Sequence, residues 1–212
     1  MSNLVGSAVA AYRTSPGTYP AYGFTTFDYY GNQHWAPFGR EGTACGPAAV
    51  ATVARWKRGR NLGNLELERL VNNRGPLGSD YIGIERMLLD MGVNFRSDWV
   101  RGPRNYTDAI RDKIKSGKPC IVLVDWGSQT PLDFSSWGAH YMVAYGATDD
   151  QILFTNIARV TSGQSRNFGY SNDRLRGLFA SAMGANLIGA AALEAAGFWG
   201  LAVGYRLLSV TR

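Results

Sequence analysis

Two cysteines and two histidines are all that this chain of 212 residues holds of the side chains best suited to metal binding and thiol chemistry. Two cysteines far apart make no disulfide framework, and a reducing compartment is the simpler expectation, with a single bridge left open. No His/Cys cluster has the spacing of a zinc site, so no metal and no cofactor is expected. Long apolar runs are missing too. The longest uncharged stretch of the C-terminal part, residues 177–193, is rich in Gly and Ala and is followed by Glu194, so a buried helix is expected there and no stable membrane span. The first residues hold only a short apolar stretch with no Lys or Arg before it, a poor match to a Sec leader. The expectation is a protein cytoplasmic as synthesised, with export by a non-Sec route as the alternative. Charged residues make up only 18%, and the net charge is +6. The one tight basic cluster, Arg55, Lys57, Arg58 and Arg60, has no interleaved aromatic platform. It reads as a solvated helix end, and no nucleic-acid partner is expected.

What is present is ordered by character. Residues 1–40 are rich in Tyr, Gly and Pro without periodicity and read as an extended lead-in. Residues 41–212 read as one domain. Helices come first: "CGPAAVATVARWKR", then "NLELERLVNN", then "YIGIERMLLDMGV" stopped by Gly92, then "NYTDAIRDKIKSG" capped by Thr107 or Asn105. Strands follow: "PCIVLVDW" as a buried run, "AHYMVAYGAT" alternating, and "DDQILFTNIA" after a two-Asp turn, which makes the last two a hairpin. A helical stretch near 171–196 and a last strand in "FWGLAVGYRLLSV" close the chain. Helices segregated from antiparallel strands predict an α+β protein, a helical lobe over about 41–117 against a sheet lobe over about 118–212.

Cys45 opens the first helix, where backbone N–H groups and the helix dipole favour a thiolate. Gly46 leaves room for a substrate backbone and Pro47 suits a first turn. Cys120 lies in an apolar run, where burial raises a thiol pKa. On local features alone, the commoner use of either cysteine is as a small buried hydrophobe. A cysteine nucleophile needs a base and the base an orienter. His140 stands where a loop becomes a strand. Asn156 ends the next strand, roughly opposite His140 in a hairpin turning at Asp149-Asp150.

The stretches "ACGPAAVATVARW", "YIGIERMLLDMGV", "IKSGKPCIVLV" and "WGAHYMVAYGATDDQILFTN" together resemble the papain-like cysteine peptidases, in the branch similar to bacteriocin-processing peptidases of ABC exporters. The similarity runs over about residues 30–160. It implies a papain-like α+β fold with the cysteine on the helical lobe and the histidine on the sheet lobe. It implies Cys45 as nucleophile, His140 as base and Asn156 as orienter. The branch usually carries Asp-Pro where this chain has Asn156-Ile157. Its oxyanion glutamine usually stands about six residues before the cysteine, where this chain has Gly39, so the role falls to Gln33. Trp126 and Trp137 flank the loop leading to His140 and, with Gly46, are the expected substrate-binding residues. The implied activity is hydrolysis of a peptide or amide bond in a peptide or protein substrate, as a stand-alone enzyme or an exported bacterial effector. The alternatives are a binding module that has lost its chemistry and an acyltransferase using the same triad. The sequence carries no signal of oligomeric state.

Overall fold

Alternation of side chains along one strand organises this fold. The computed structural model describes residues 22–23, 44–73, 79, 81–125, 139–148, 150–155, 167–173, 175–176 and 205–211. Among the described residues, strand β4 (Ala139–Ala147) is the longest of seven. Its odd-numbered residues Tyr141, Val143 and Tyr145 enter one apolar cluster, and its even-numbered Met142 and Ala144 enter another. Successive residues of a strand point to opposite faces, so β4 divides the core in two.

The other strands are β1 (Tyr22–Gly23), β2 (Phe95–Val100), β3 (Cys120–Asp125), β5 (Gln151–Thr155), β6 (Asn167–Ser171) and β7 (Tyr205–Val210). They form one sheet in the order β2-β7-β3-β4-β5-β6, with β1 paired to the far end of β4. Every pairing is antiparallel. The predicted hairpin is β4–β5, and its turn is tied by the Thr148 N–H to the Gln151 carbonyl at 2.9 Å.

Among the described residues, four helices cover the sheet: α1 (Cys45–Arg58), α2 (Asn64–Asn72), α3 (Tyr81–Asp90) and α4 (Pro103–Lys115). Helix α1 is buried from Cys45 through Ala54 and lies with α3 on the odd face of β4. Small residues there bring the helix close to the sheet, and burying Val50 and Val53 stabilises by roughly 1.5–3 kcal/mol each. Helix α4 packs Tyr106, Ile110 and Ile114 on the opposite face, against Cys120, Val122, Met142 and Phe154. The helices therefore sandwich the sheet.

Three local expectations change. Helix α4 is not capped by Thr107 or Asn105. It starts at Pro103 behind Gly102, whose φ of 79° is open to glycine and closed to most residues. Thr107 is buried inside it. Strand β2 stands between two helices where no strand was expected, and it pairs along its full length with β7. Strand β6 is likewise additional. The lead-in over 1–40 falls outside the described residues except for β1, and the stretch 177–196 falls outside them entirely.

Candidate active site

The first residue of α1 is Cys45, a residue 8% exposed at the helix tip. Ala44 ahead of it offers no side-chain cap, so the N–H groups of the first turn are free of side-chain competition. Burial pushes the Cys45 thiol up from its ordinary value. Backbone N–H groups of Tyr141, Gly46 and Cys45 itself hydrogen-bond the sulfur and pull it back down. Burial wins, so the net direction is opposite to the lowering expected from a helix N-terminus alone.

The Tyr141 contact is the structural link between the two halves of the site. Tyr141 follows His140 in β4, so the strand that carries the histidine touches the cysteine sulfur through its backbone. His140 is 8% exposed and is the Cα partner of Val124 in β3. Pairing with β3 holds the start of β4 in place, while β5 pairs with β4 from Val143 to Ala147.

Residues ahead of α3 complete the surroundings of the thiol. A Cβ on Gly46 would lie 2.7 Å from Ile84 Cδ1 and 2.7 Å from both Cβ and Oγ of Ser79. Glycine is required here by close packing, a reason that no local signal in the sequence supplies. The Tyr81 ring meets the Tyr141 ring edge-on, with centroids 5.9 Å apart and planes at 89°. Residues 79 and 81 thus contact the neighbours of Cys45 on the helix side and on the strand side.

Asn156, Gln33, Trp126 and Trp137 lie outside the described residues. Thr155, just before Asn156, pairs with Val143 and is fully buried. The structure brings Cys45, Gly46 and the His140–Tyr141 strand together. It adds Ser79, Tyr81 and Tyr141, which sequence reasoning did not single out. The alternation in "HYMVAYG" was signal enough to put Tyr141 on the α1 face; nothing marked Ser79.

Cys120 is the contrast. It is fully buried in β3, its thiol donates weakly to the Lys118 carbonyl at 3.6 Å, and burial pushes it far above the ordinary thiol range. Both cysteines are free. The basic cluster is occupied: Arg58 and Arg60 bind Glu66 at 2.6 and 3.0 Å, Arg55 donates to Asn61, and Lys57 donates to the Thr211 carbonyl. Among the described residues no group of three or more His, Cys, Asp or Glu is gathered for a metal ion, and no helix is long and apolar enough to cross a membrane.

No protein-family model matches the chain, and no curated protein matches it. Solved structures do. A protein of Bacillus anthracis described as a C39-like peptidase superposes with a TM-score of 0.55 at 8% identity, covering 91% of this chain and 98% of that one. The peptidase domain of Streptococcus ComA, a bi-functional ABC transporter involved in a quorum-sensing pathway, is similar over 64% of this chain and 85% of that one, at 20% identity and a TM-score of 0.46. The fold is therefore the papain-like α+β fold of C39-type peptidase domains.

Proposed function

We propose that this chain is a cysteine peptidase or amidase that hydrolyses a peptide or amide bond through an acyl-enzyme. The observation that carries this reading is the meeting of the α1 tip and the start of β4, where Cys45 and Tyr141, the residue after His140, lie in one buried cluster. In the proposed cycle His140 takes the Cys45 proton and the sulfur attacks the substrate carbonyl carbon. The oxyanion is met by the Cys45 N–H and Gln33. Collapse breaks the C–N bond, and His140 returns its proton to the leaving amine. Water, deprotonated by His140, then cleaves the thioester, releasing the acid and restoring the thiol. Asn156 holds the imidazole, and Trp126 and Trp137 line the cleft. The likeness in fold to a protein described as a peptidase supports a peptide or protein as substrate.

One observation favours a second reading, a binding module without chemistry: burial raises the Cys45 thiol. The two differ in how Cys45 reacts. Its alkylation by iodoacetamide, followed against pH by peptide mass spectrometry with Cys120 as internal control, separates them. The peptidase reading requires the His140 imidazole to outweigh the effect of burial, so its expected result is labelling that persists well below pH 7 and is lost or shifted in His140→Ala. Labelling that rises only near about pH 8.5, the ordinary thiol value, would leave the binding module in its place.

A further inference from the structure

Ser79 stands out among the polar side chains outside the proposed triad. Its Oγ is buried and has no hydrogen-bond partner. Buried polar groups are nearly always paired, and an exception at the wall of a site calls for an explanation. Its position supplies one. Ser79 fills the space beside Gly46, next to Cys45, with Cβ and Oγ both 2.7 Å from where a Gly46 Cβ would stand. Two residues on, Tyr81 packs against Tyr141, whose N–H reaches the sulfur. Ser79 and Tyr81 therefore contact neighbours of Cys45, one on the helix side and one on the strand side. As a residue Ser79 is only partly buried, and a hydroxyl can redirect by turning about its Cα–Cβ bond.

We infer that Ser79 is a substrate-positioning residue, its hydroxyl hydrogen-bonding a backbone peptide group of the substrate beside the scissile bond. This rests on the thiol-peptidase reading and deepens it. A peptide group offers both an N–H and a C=O, and a serine hydroxyl answers either. A bound peptide would complete a hydroxyl that the free protein leaves unpaired. An alanine there would keep the packing on Gly46 and lose only the polar atom.

The test uses the whole chain and two kinds of thiol reagent. Iodoacetamide reads the reactivity of Cys45 alone. A library of N-acyl dipeptidyl chloromethyl ketones, varied at both positions, reads reactivity together with peptide docking. The quantity measured is the ratio of the best library rate to the iodoacetamide rate. Ser79→Ala is expected to lower this ratio about tenfold, the loss of one hydrogen bond to ligand, while its melting temperature stays level or rises because an unpaired buried hydroxyl is gone. Ser209→Ala removes a buried, equally unpartnered hydroxyl from β7, and it is expected to keep the wild-type ratio. An unchanged ratio in Ser79→Ala overturns the inference. So does a wild type in which no library member outpaces iodoacetamide. A wild-type Cys45 inert to both reagents removes the thiol-peptidase reading itself, a failure told apart by the iodoacetamide rate.

Discussion

Cys45 and Cys120 are the same side chain in two surroundings, and the difference lies in what touches the sulfur. Around Cys45 three backbone N–H groups oppose the cost of burial; the Cys120 thiol instead donates to a carbonyl. Gly46 belongs to the same small volume. Its missing side chain lets α1 and the residues ahead of α3 close on each other. Gly46→Ala is expected to destabilise the protein by about 1–3 kcal/mol, because Ser79 Cβ cannot move aside as freely as the tip of Ile84. Chemical denaturation measures this, and Ser79→Gly in the same chain is expected to restore part of the loss. A neutral Gly46→Ala would mean that both neighbours yield at no cost.

Single elements are held by their ends. Helix α2 begins at Gly63, whose N–H is taken by Glu66 at 2.8 Å, and the same carboxylate receives Arg58 and Arg60 from the α1 end. The Arg60 guanidinium above all, then the Gly63 N–H, hold the Glu66 carboxyl down to about 2. In the unfolded chain it titrates near 4.3. A carboxyl depressed by folding stabilises the native state when ionised, so its contribution is whole above about pH 4.3 and fades as pH falls toward 2. Wild type is expected to exceed Glu66→Gln in stability at pH 7, by less than about 1 kcal/mol for so exposed a pair, and the two are expected to converge near pH 2. Denaturant melts at several pH values read the gap; a gap that does not change with pH would assign Glu66 a non-ionic role.

At the scale of the whole molecule, Arg206 joins three elements. From β7 its Nη2 lies 2.6 Å from Glu85 Oε1 of α3, an ion pair off the hydrogen-bond axis. Its Nε donates to Ser97 Oγ of β2 at 2.7 Å, and its guanidinium sits 5.3 Å from the centroid of the Trp99 ring. Both charges are about four-fifths buried. Arg206→Met is expected to cost about 2 kcal/mol, chiefly by leaving the Glu85 carboxylate buried and unpaired. Adding Glu85→Leu is expected to recover most of it. A double variant no more stable than the single one would place the loss in the Ser97 and Trp99 contacts instead.

The sequence by itself determined what is local. Periodicity marked α1, α2, α3 and the β4–β5 hairpin, Gly92 marked the end of α3, and the Cys-Gly-Pro and "HYMVAYG" stretches marked the two elements that meet at the thiol. These signals survive because helix period, strand alternation and chain breakers act over a few residues. The tertiary structure decided the rest. Strand β2, with exposed Arg96 and Trp99, looks unlike a strand until β7, more than a hundred residues on, pairs with it. Helix α4 lies across the sheet from α1 because Tyr106, Ile110 and Ile114 meet the even face of β4, a choice between faces that its own pattern leaves open. The Cys45 thiol is raised because desolvation depends on everything packed around the sulfur, whereas the helix end that favours a thiolate is written in neighbouring residues.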